Sequence, residues 1–269
     1  IGLIFGSFSL SRTFFLPLFG KWSDKKGRRP FITAGLFSYV IVSLAFLLSS
    51  DVTTLIVIRF VQGIASAMMM PVLQAYVGDI TPRGREGFIM GLFNLSMFMG
   101  LSIGPLAGGI INDRFSLDAA FVCMGILSFL GFLLSFFLLP PTSEERCITF
   151  KKQPLPLKTI MKDREISGLF LFRFAYAACI GIVWGFLPIM ADIRFSLSSV
   201  SIGVLVMMGV FISGLLNVPM GFLADRFNRR AMLTTGGLIV AMAVFFYTLT
   251  GEVSGLMVAS VLFGIGGGI

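Results

Sequence analysis

The sequence predicts an all-α membrane protein with about nine transmembrane helices. Of its 269 residues, 56% are hydrophobic and only 13% are charged, and the mean hydropathy is +0.95. The charges are clustered, which leaves apolar runs long enough to cross roughly 30 Å of hydrocarbon as helices. The runs lie at about 1–19, 31–50, 53–77, 87–111, 119–140, 166–191, 197–220, 231–250 and 252–269.

Helices are favoured over the strands of a membrane barrel. The run 119–139 is apolar on nearly every side, whereas barrel strands alternate polar and apolar residues. A helix also satisfies its backbone polar groups within one segment, as lipid requires. A large soluble protein with buried helices is disfavoured by the number of long runs. A signal peptide is disfavoured because Arg12 interrupts the first run and no small-residue cleavage site follows.

A charged segment occurs twice in the sequence, each time between two apolar runs. Matched residues of the two copies are 201 positions apart, as 221 minus 20. Such a constant offset is typical of an internal duplication. The aspartate of each copy precedes an apolar run, where a carboxylate favours a helix N-terminus and pairs with arginine. The glycines permit tight approach or positive φ. The copies comprise Gly20, Asp24, Lys25, Gly27, Arg28 and Arg29, and then Gly221, Asp225, Arg226, Asn228, Arg229 and Arg230.

The distribution of positive charge predicts the orientation in the membrane. Four alternate loops, at 20–30, 78–87, 140–165 and 221–230, hold 16 of the 21 lysines and arginines. The loops between them hold only Arg114 and Arg194. The positive-inside rule therefore places both repeated segments in the cytoplasm. The net charge of +8 reflects this topology rather than nucleic-acid binding. We expect a cell membrane, specifically a bacterial inner membrane.

The repeated segments resemble the Gly-x-x-x-Asp-Arg/Lys-x-Gly-Arg/Lys-Arg/Lys signature of the major facilitator superfamily. That family carries it between helices 2 and 3 and, more weakly, between helices 8 and 9. Arg59-Phe-Val-Gln62-Gly63 is similar to the family's helix 4 signature, and the segment 100–109 to its helix 5 antiporter signature. The resemblance implies a partial bundle of helices 2 to 10, present as a fragment. Its domains would be an N-terminal bundle at 1–139, a cytoplasmic linker at 140–165 with a short basic interfacial helix near 157–165, and a partial C-terminal bundle at 166–269.

The resemblance also implies a role for the repeated segments. They would hold the two halves together on the cytoplasmic side and release during alternating access, which makes Asp24, Arg28 and Arg29 gating residues. The alternative is a positively charged topological anchor, which needs only lysine and arginine.

Arginines inside the spans are the next candidates, because a charge at mid-membrane needs water or a partner. Arg59, Gln62 and Ser66 share one helix face and predict a polar stripe. The resemblance connects Arg59 with proton coupling, and the alternative is an arginine that snorkels to the interface. No carboxylate lies in mid-span, and the chain has no histidine. Other expected members of the substrate path are Arg12, Arg173, Asn94, Tyr176 and Trp184.

Small residues predict close helix packing in the helix 5 segment. Gly100, Gly104 and Gly108 recur every four residues, and Pro105 can kink the helix beside them. Gly109 completes the signature. We hypothesise that this ridge meets a second one across the two halves, and the alternative is ordinary small-residue packing. The second ridge comprises Gly209, Ser213 and Asn217.

The resemblance as a whole implies a secondary transporter, not an enzyme, and in particular a proton-coupled exporter of a drug or small metabolite. An uptake symporter or uniporter for a sugar or organic acid, and a membrane receptor or scaffold that does not transport, are the alternatives. No Gly-x-x-x-x-Gly-Lys-Ser/Thr phosphate loop occurs, so the sequence does not predict ATP hydrolysis. The three cysteines lack metal-ligand spacing. We expect a monomer without cofactors, with lipid, substrate and protons as its partners.

Overall fold

The computed structural model describes residues 2–82, 85–140, 164–224 and 227–269, and within them the chain forms nine helices. Asp225 and Arg226 of the second charged segment lie outside the described residues. Most of the predicted linker helix near 157–165 also lies outside them. The helices are α1 (Gly2–Lys26), α2 (Arg29–Leu47), α3 (Val52–Ile80), α4 (Glu86–Arg114), α5 (Leu117–Leu138), α6 (Arg164–Phe195), α7 (Ser199–Ala224), α8 (Arg229–Leu249) and α9 (Val253–Gly268).

The predicted number of apolar helices is confirmed for the described part of the chain. The first eight, α1 to α8, are long and apolar enough to cross a membrane, and α9 is an apolar helix of 16 residues. Many large apolar side chains point away from the protein, among them Phe14 and Phe137 with exposed fractions of 74% and 73%. Such a surface suits lipid and not water.

The predicted loop at 20–30 is corrected by the structure, because α1 extends into this segment as far as Lys26. Gly20, Asp24 and Lys25 lie on the last turns of α1, and α2 begins at Arg29. The connection is therefore only two residues long. Gly27 has a φ of 87°, the left-handed conformation in which glycine commonly ends a helix. Pro30 lies in the first turn of α2, where its missing N–H costs no hydrogen bond.

Two compact units make up the structure, and the first contains α1, α2, α3 and α5. It comprises Ile1–Phe93 and Arg114–Lys151. α1 packs along α3, and α2 packs against both α3 and α5. Gly63 of α3 lies so close to the Phe8 carbonyl of α1 that a Cβ would not fit. The rings of Phe46 and Phe121 stack with centroids 4.7 Å apart between α2 and α5.

The second unit comprises Asn94–Asp113 and Lys152–Ile269. Here α7 and α8 both pack against α9. Glycines bring the backbones together, because a Cβ on Gly264 would lie 3.0 Å from Cβ of Ile212. Most of α4 belongs to this unit, although the sequence assigns that helix to the N-terminal bundle.

Candidate functional site

Arg28 connects three elements of the first unit at the end of α1. Its Nε donates to Oδ2 of Asp79 at 2.8 Å, at the end of α3. Its NH1 donates to Oγ of Ser23 at 3.1 Å and forms an ion pair with Asp24 at 2.5 Å. The planar guanidinium has several donors in fixed directions, so one side chain can bind all three groups. Arg28 thereby holds the end of α1 against the end of α3.

Arg29 extends the same cluster to α5. It donates to the backbone carbonyl of Phe136 and lies over that ring, with 6.0 Å from Cζ to the centroid. The expectation that Asp24 favours a helix N-terminus is wrong, because Asp24 lies in the C-terminal part of α1. There the helix dipole disfavours a carboxylate, and Arg28 compensates for it. Gly20 is helical, and a Cβ on it would meet no described atom within 4 Å. Lys25 is exposed in the last turn of α1.

The pKa of Arg28 lies above its usual value. Burial lowers the pKa, but the hydrogen bond and charge of Asp79, together with Asp24, more than offset this effect. Because the folded-state pKa is raised, Arg28 contributes stability that is fully present below the unfolded pKa and is lost only as the pH rises through the higher folded pKa. Arg28 therefore stays charged throughout the physiological range.

The second charged segment differs in its backbone from the first. Asn228, at the position of Gly27, has a φ of −66° and caps α8 by accepting from the amide of Arg230 at 3.0 Å. Gly221 and Arg229 lie on α7 and α8. With asparagine in place of glycine, the second segment caps the start of α8 without a residue in the left-handed conformation.

Arg59 lies among aromatic and polar side chains in the first unit. Its guanidinium carbon is 5.5 Å from the ring centroids of Phe5 and Phe46, and NH1 donates to Oε1 of Gln62 at 3.2 Å. The predicted proximity of Arg59 and Gln62 is therefore confirmed. Ser66, the third residue of the stripe, is buried at 2% exposure.

Two further polar residues adjoin this stripe. Tyr39 of α2 lies close to Ser66 and within electrostatic range of both Arg59 and Arg12. The helices α1, α2 and α3 thus bring two guanidinium groups and a phenol into one region. We call Arg12, Tyr39, Arg59, Gln62 and Ser66 the arginine cluster.

The other predicted members of the substrate path lie in the second unit. Arg173 is exposed on α6, with its Cζ 5.7 Å from the ring centroid of Tyr176. The indole of Trp184 is 38% exposed, and Asn94 on α4 is also exposed. An open cavity of about 360 Å³ lies nearer the end of α6. Its lining includes Asp192 and Ser199, and sequence reasoning missed it.

Close packing between α4 and α7 in the second unit involves a different face of α4 from the predicted ridge. A Cβ on Gly109 would lie 3.1 Å from Cα of Val200, and one on Gly203 would lie 2.6 Å from the carbonyl oxygen of Pro105. In contrast, a Cβ on Gly100, Gly104 or Gly108 would meet no described atom within 4 Å.

The partner ridge on α7 is also different from the predicted one. Gly209 faces the Ser260 carbonyl of α9, Ser213 lies beside Gly268, and Asn217 is exposed. The hypothesis that the two ridges meet is therefore wrong in its residues. Among the residues of the signature, Pro105, Leu106 and Gly109 lie against α7.

Polar contacts complete the packing at the end of α4. Both carboxylate oxygens of Asp113 accept from the start of α7, Oδ1 from the amide of Ser199 at 3.2 Å and Oδ2 from that of Val200 at 2.9 Å. The neighbouring Asn112 donates from Nδ2 to Oγ of Ser199 at 2.7 Å. Sequence reasoning missed both residues, because a polar pair at the end of a span resembles an ordinary loop. Only the tertiary pairing of α4 with α7 reveals the cap.

Spanning helices, a duplicated charged segment and an arginine cluster within the membrane-spanning region define a polytopic membrane transporter fold. A model of the Major Facilitator Superfamily matches residues 1–269, and the chain belongs to this family. It is 27% identical to an uncharacterised MFS-type transporter of Methanocaldococcus jannaschii, covering 100% of this chain and 70% of the relative. It is 29% identical to the class D tetracycline resistance protein of Salmonella ordonez, covering 99% and 68%.

A solved structure supports the fold alone. The human organic anion transporter MFSD10 is similar with a TM-score of 0.67 at 18% identity, covering 98% of this chain and 66% of that one. The chain thus spans about two thirds of the length of these proteins.

Proposed function

We propose that this protein exports a drug or small metabolite in exchange for protons, by alternating access. The observation that carries the proposal is Arg59, a cation in a spanning helix between two aromatic rings with Gln62 as acceptor. A charged side chain in a spanning helix is costly unless it meets water or a partner, and such residues commonly mark a substrate or proton pathway. Similarity to a tetracycline resistance protein supports the direction of transport.

Proton movement along the transport path would change the charges that the guanidinium groups of the arginine cluster face, and this change would favour one conformation over the other. Arg28, bound to Asp79, and Arg29, bound to the carbonyl of Phe136, would then fix the cytoplasmic ends of α1, α2, α3 and α5 as a rigid block during the movement. We place the protein in the cell membrane as a monomer, with Asp24 and Asp225 in the cytoplasm.

Everted membrane vesicles that contain the full-length protein test this function. We expect tetracycline, or a lipophilic drug from a panel, to accumulate when a proton gradient is imposed and to leave when the gradient is dissipated. Arg59→Ala should abolish accumulation, while Arg114→Ala at the end of α4 should not. Accumulation that does not depend on the proton gradient would contradict proton coupling. Movement of the substrate in the opposite direction would favour the uptake symporter.

A further inference from the structure

The cavity of about 360 Å³ in the second unit lies between the end of α6 and the start of α7. Its volume is at the lower end of the range of ligand sites, about 300–1,000 Å³. Five of its seven lining residues are apolar, and the two polar ones are Asp192 and Ser199. The cavity therefore offers apolar walls and a single carboxylate. The apolar residues are Pro188, Ile189, Ile193, Leu197 and Ile202.

A tight turn after α6 holds the wall of the cavity in place. Asp192 is exposed, whereas the preceding Ala191 is buried in the core of the second unit. The chain then reverses at Ser196, which has a φ of 50°. The amide of Ser196 donates to the backbone carbonyl of Asp192 at 2.8 Å. The amide of Leu197 donates to that of Ala191 at 3.3 Å, so the turn keeps Leu197 and Asp192 on the wall of one cavity.

The charge of the cavity favours a cation over an anion. An anion at the start of α7 would bind the first amides of that helix. The amides of Ser199 and Val200, however, already donate to the carboxylate of Asp113. Asp192 has no cationic partner among the described residues. Arg194 lies over the ring of the next residue and does not line the cavity.

We propose that this cavity binds small amphipathic cations, with Asp192 as the counter-ion of their ammonium group. An ammonium donates strong, charge-assisted hydrogen bonds to a carboxylate, and burial of the apolar body against Ile189 and Ile202 adds hydrophobic stabilisation. Successive spans alternate in direction, so the distribution of positive charge places this end of α6 outside the cell. The site is separate from the arginine cluster, whose guanidinium groups disfavour a cation, and the inference does not rest on transport.

Protection of a thiol on the wall of the cavity measures its occupancy. The full-length protein, with its native cysteines replaced by alanine, would carry Ile193→Cys as the single thiol, because Ile193 lines the cavity and is 78% exposed. A membrane-impermeant maleimide would be applied to intact cells with and without ligand. Three ligands share one apolar body and differ in charge: cationic adamantylammonium, neutral adamantanol and anionic adamantanecarboxylate. The control thiol is Phe115→Cys, which is 77% exposed after α4 and does not line the cavity.

Adamantylammonium should halve the labelling rate at position 193 at about 1 mM or below, as expected for a ligand of this size, and should not protect Phe115→Cys. Adamantanol should need at least about tenfold more, and adamantanecarboxylate should not protect. Asp192→Asn should raise the required concentration of adamantylammonium about tenfold, through loss of a hydrogen bond between charged groups. Asp118→Asn is the matched control, an exposed acidic residue on the first turn of α5, and should not change it.

Four outcomes would overturn the proposal. Equal protection by the three ligands, or unchanged protection in Asp192→Asn, would show that the carboxylate is not a counter-ion. No protection of a monodisperse Ile193→Cys protein would show that the cavity does not bind. Protection that persists in Ile189→Trp, which fills the cavity, would place the ligand elsewhere. Equal slowing at Phe115→Cys would indicate an effect on the membrane.

The side of the membrane and the proposed function are tested separately. Labelling of Ile193→Cys only in everted vesicles would overturn the external placement, and protection would then be measured in those vesicles. Protection does not depend on proton-driven flux. A protein that binds adamantylammonium but moves no substrate would therefore support this site and overturn the proposed function.

Discussion

Nε of Arg28 donates to Oδ2 of Asp79 at 2.8 Å, which joins the connection after α1 to the end of α3 across 51 positions of sequence. Both side chains are largely shielded, with exposed fractions of 12% and 23%. The partner that the repeated segment itself supplies, Asp24, is 58% exposed. The shielded pair is therefore expected to contribute more stability than the local one.

Asp79→Asn should lower the free energy of unfolding by about 1–2 kcal/mol, because a charged hydrogen bond becomes a neutral one. Asp24→Asn is the matched control and should cost about 0.5 kcal/mol or less, since exposed ion pairs contribute little. Thermal unfolding of the detergent-solubilised protein measures both. Equal losses in the two variants would show that the segment acts through net charge alone.

Gly63→Ala should destabilise the first unit by about 1–3 kcal/mol. A Cβ there meets the backbone of Phe8 and the hydroxyl of Ser11, and backbone cannot move aside as a flexible side chain can. Gly91→Ala on α4 has no described atom within 4 Å of the new carbon and should be neutral or slightly stabilising. Size-exclusion profiles after stepwise heating compare the two variants. A neutral Gly63→Ala would mean that α1 and α3 are not in contact there.

Sequence patterns predicted the helices and some local geometry. Glycine at 27 anticipates its left-handed backbone, and the spacing of Arg59 and Gln62 places both on one face of α3. Sequence did not reveal that α1 continues to Lys26, because the polar residues of a helix end resemble a loop by hydropathy. It also did not reveal which face of α4 meets α7. Glycines spaced four apart define a ridge on a single helix, but tertiary packing decides which other helix, if any, lies against that ridge.

The packing of α4 on α7 provides a direct test of the corrected ridge. Gly109→Ala should destabilise the protein by about 1–3 kcal/mol, because a Cβ would lie 2.8 Å from the carbonyl carbon of Ser199. Gly104→Ala faces open space and should not destabilise it. Thermal unfolding distinguishes these effects. A loss of stability in Gly104→Ala but not in Gly109→Ala would instead support the ridge that the sequence predicted.

Tyr247 and Ser260 form a buried hydroxyl pair at 2.9 Å between α8 and α9. Hydrogen bonds between helices in membranes contribute about 0.6 kcal/mol on average and up to about 1.7 kcal/mol. Tyr247→Phe, Ser260→Ala and the double variant should give a coupling free energy in this range. Additive losses, measured by the same unfolding assay, would contradict a direct bond.

Arg59→Lys separates the shape of the arginine from its charge. Lysine keeps the charge but loses the planar guanidinium that lies over Phe5 and Phe46 and donates to Gln62, so the cation would sit differently in the arginine cluster. If the cluster couples proton movement to conformation, proton-driven flux should fall at least about tenfold, a loss of about 1.4 kcal/mol of transition-state stabilisation. The thermal midpoint should change little, because the charge and most of the side-chain stem remain.

The control is Arg114→Lys at the end of α4, which should transport normally. Normal flux in Arg59→Lys would show that positive charge alone suffices there, and Arg59 would then be an interfacial anchor.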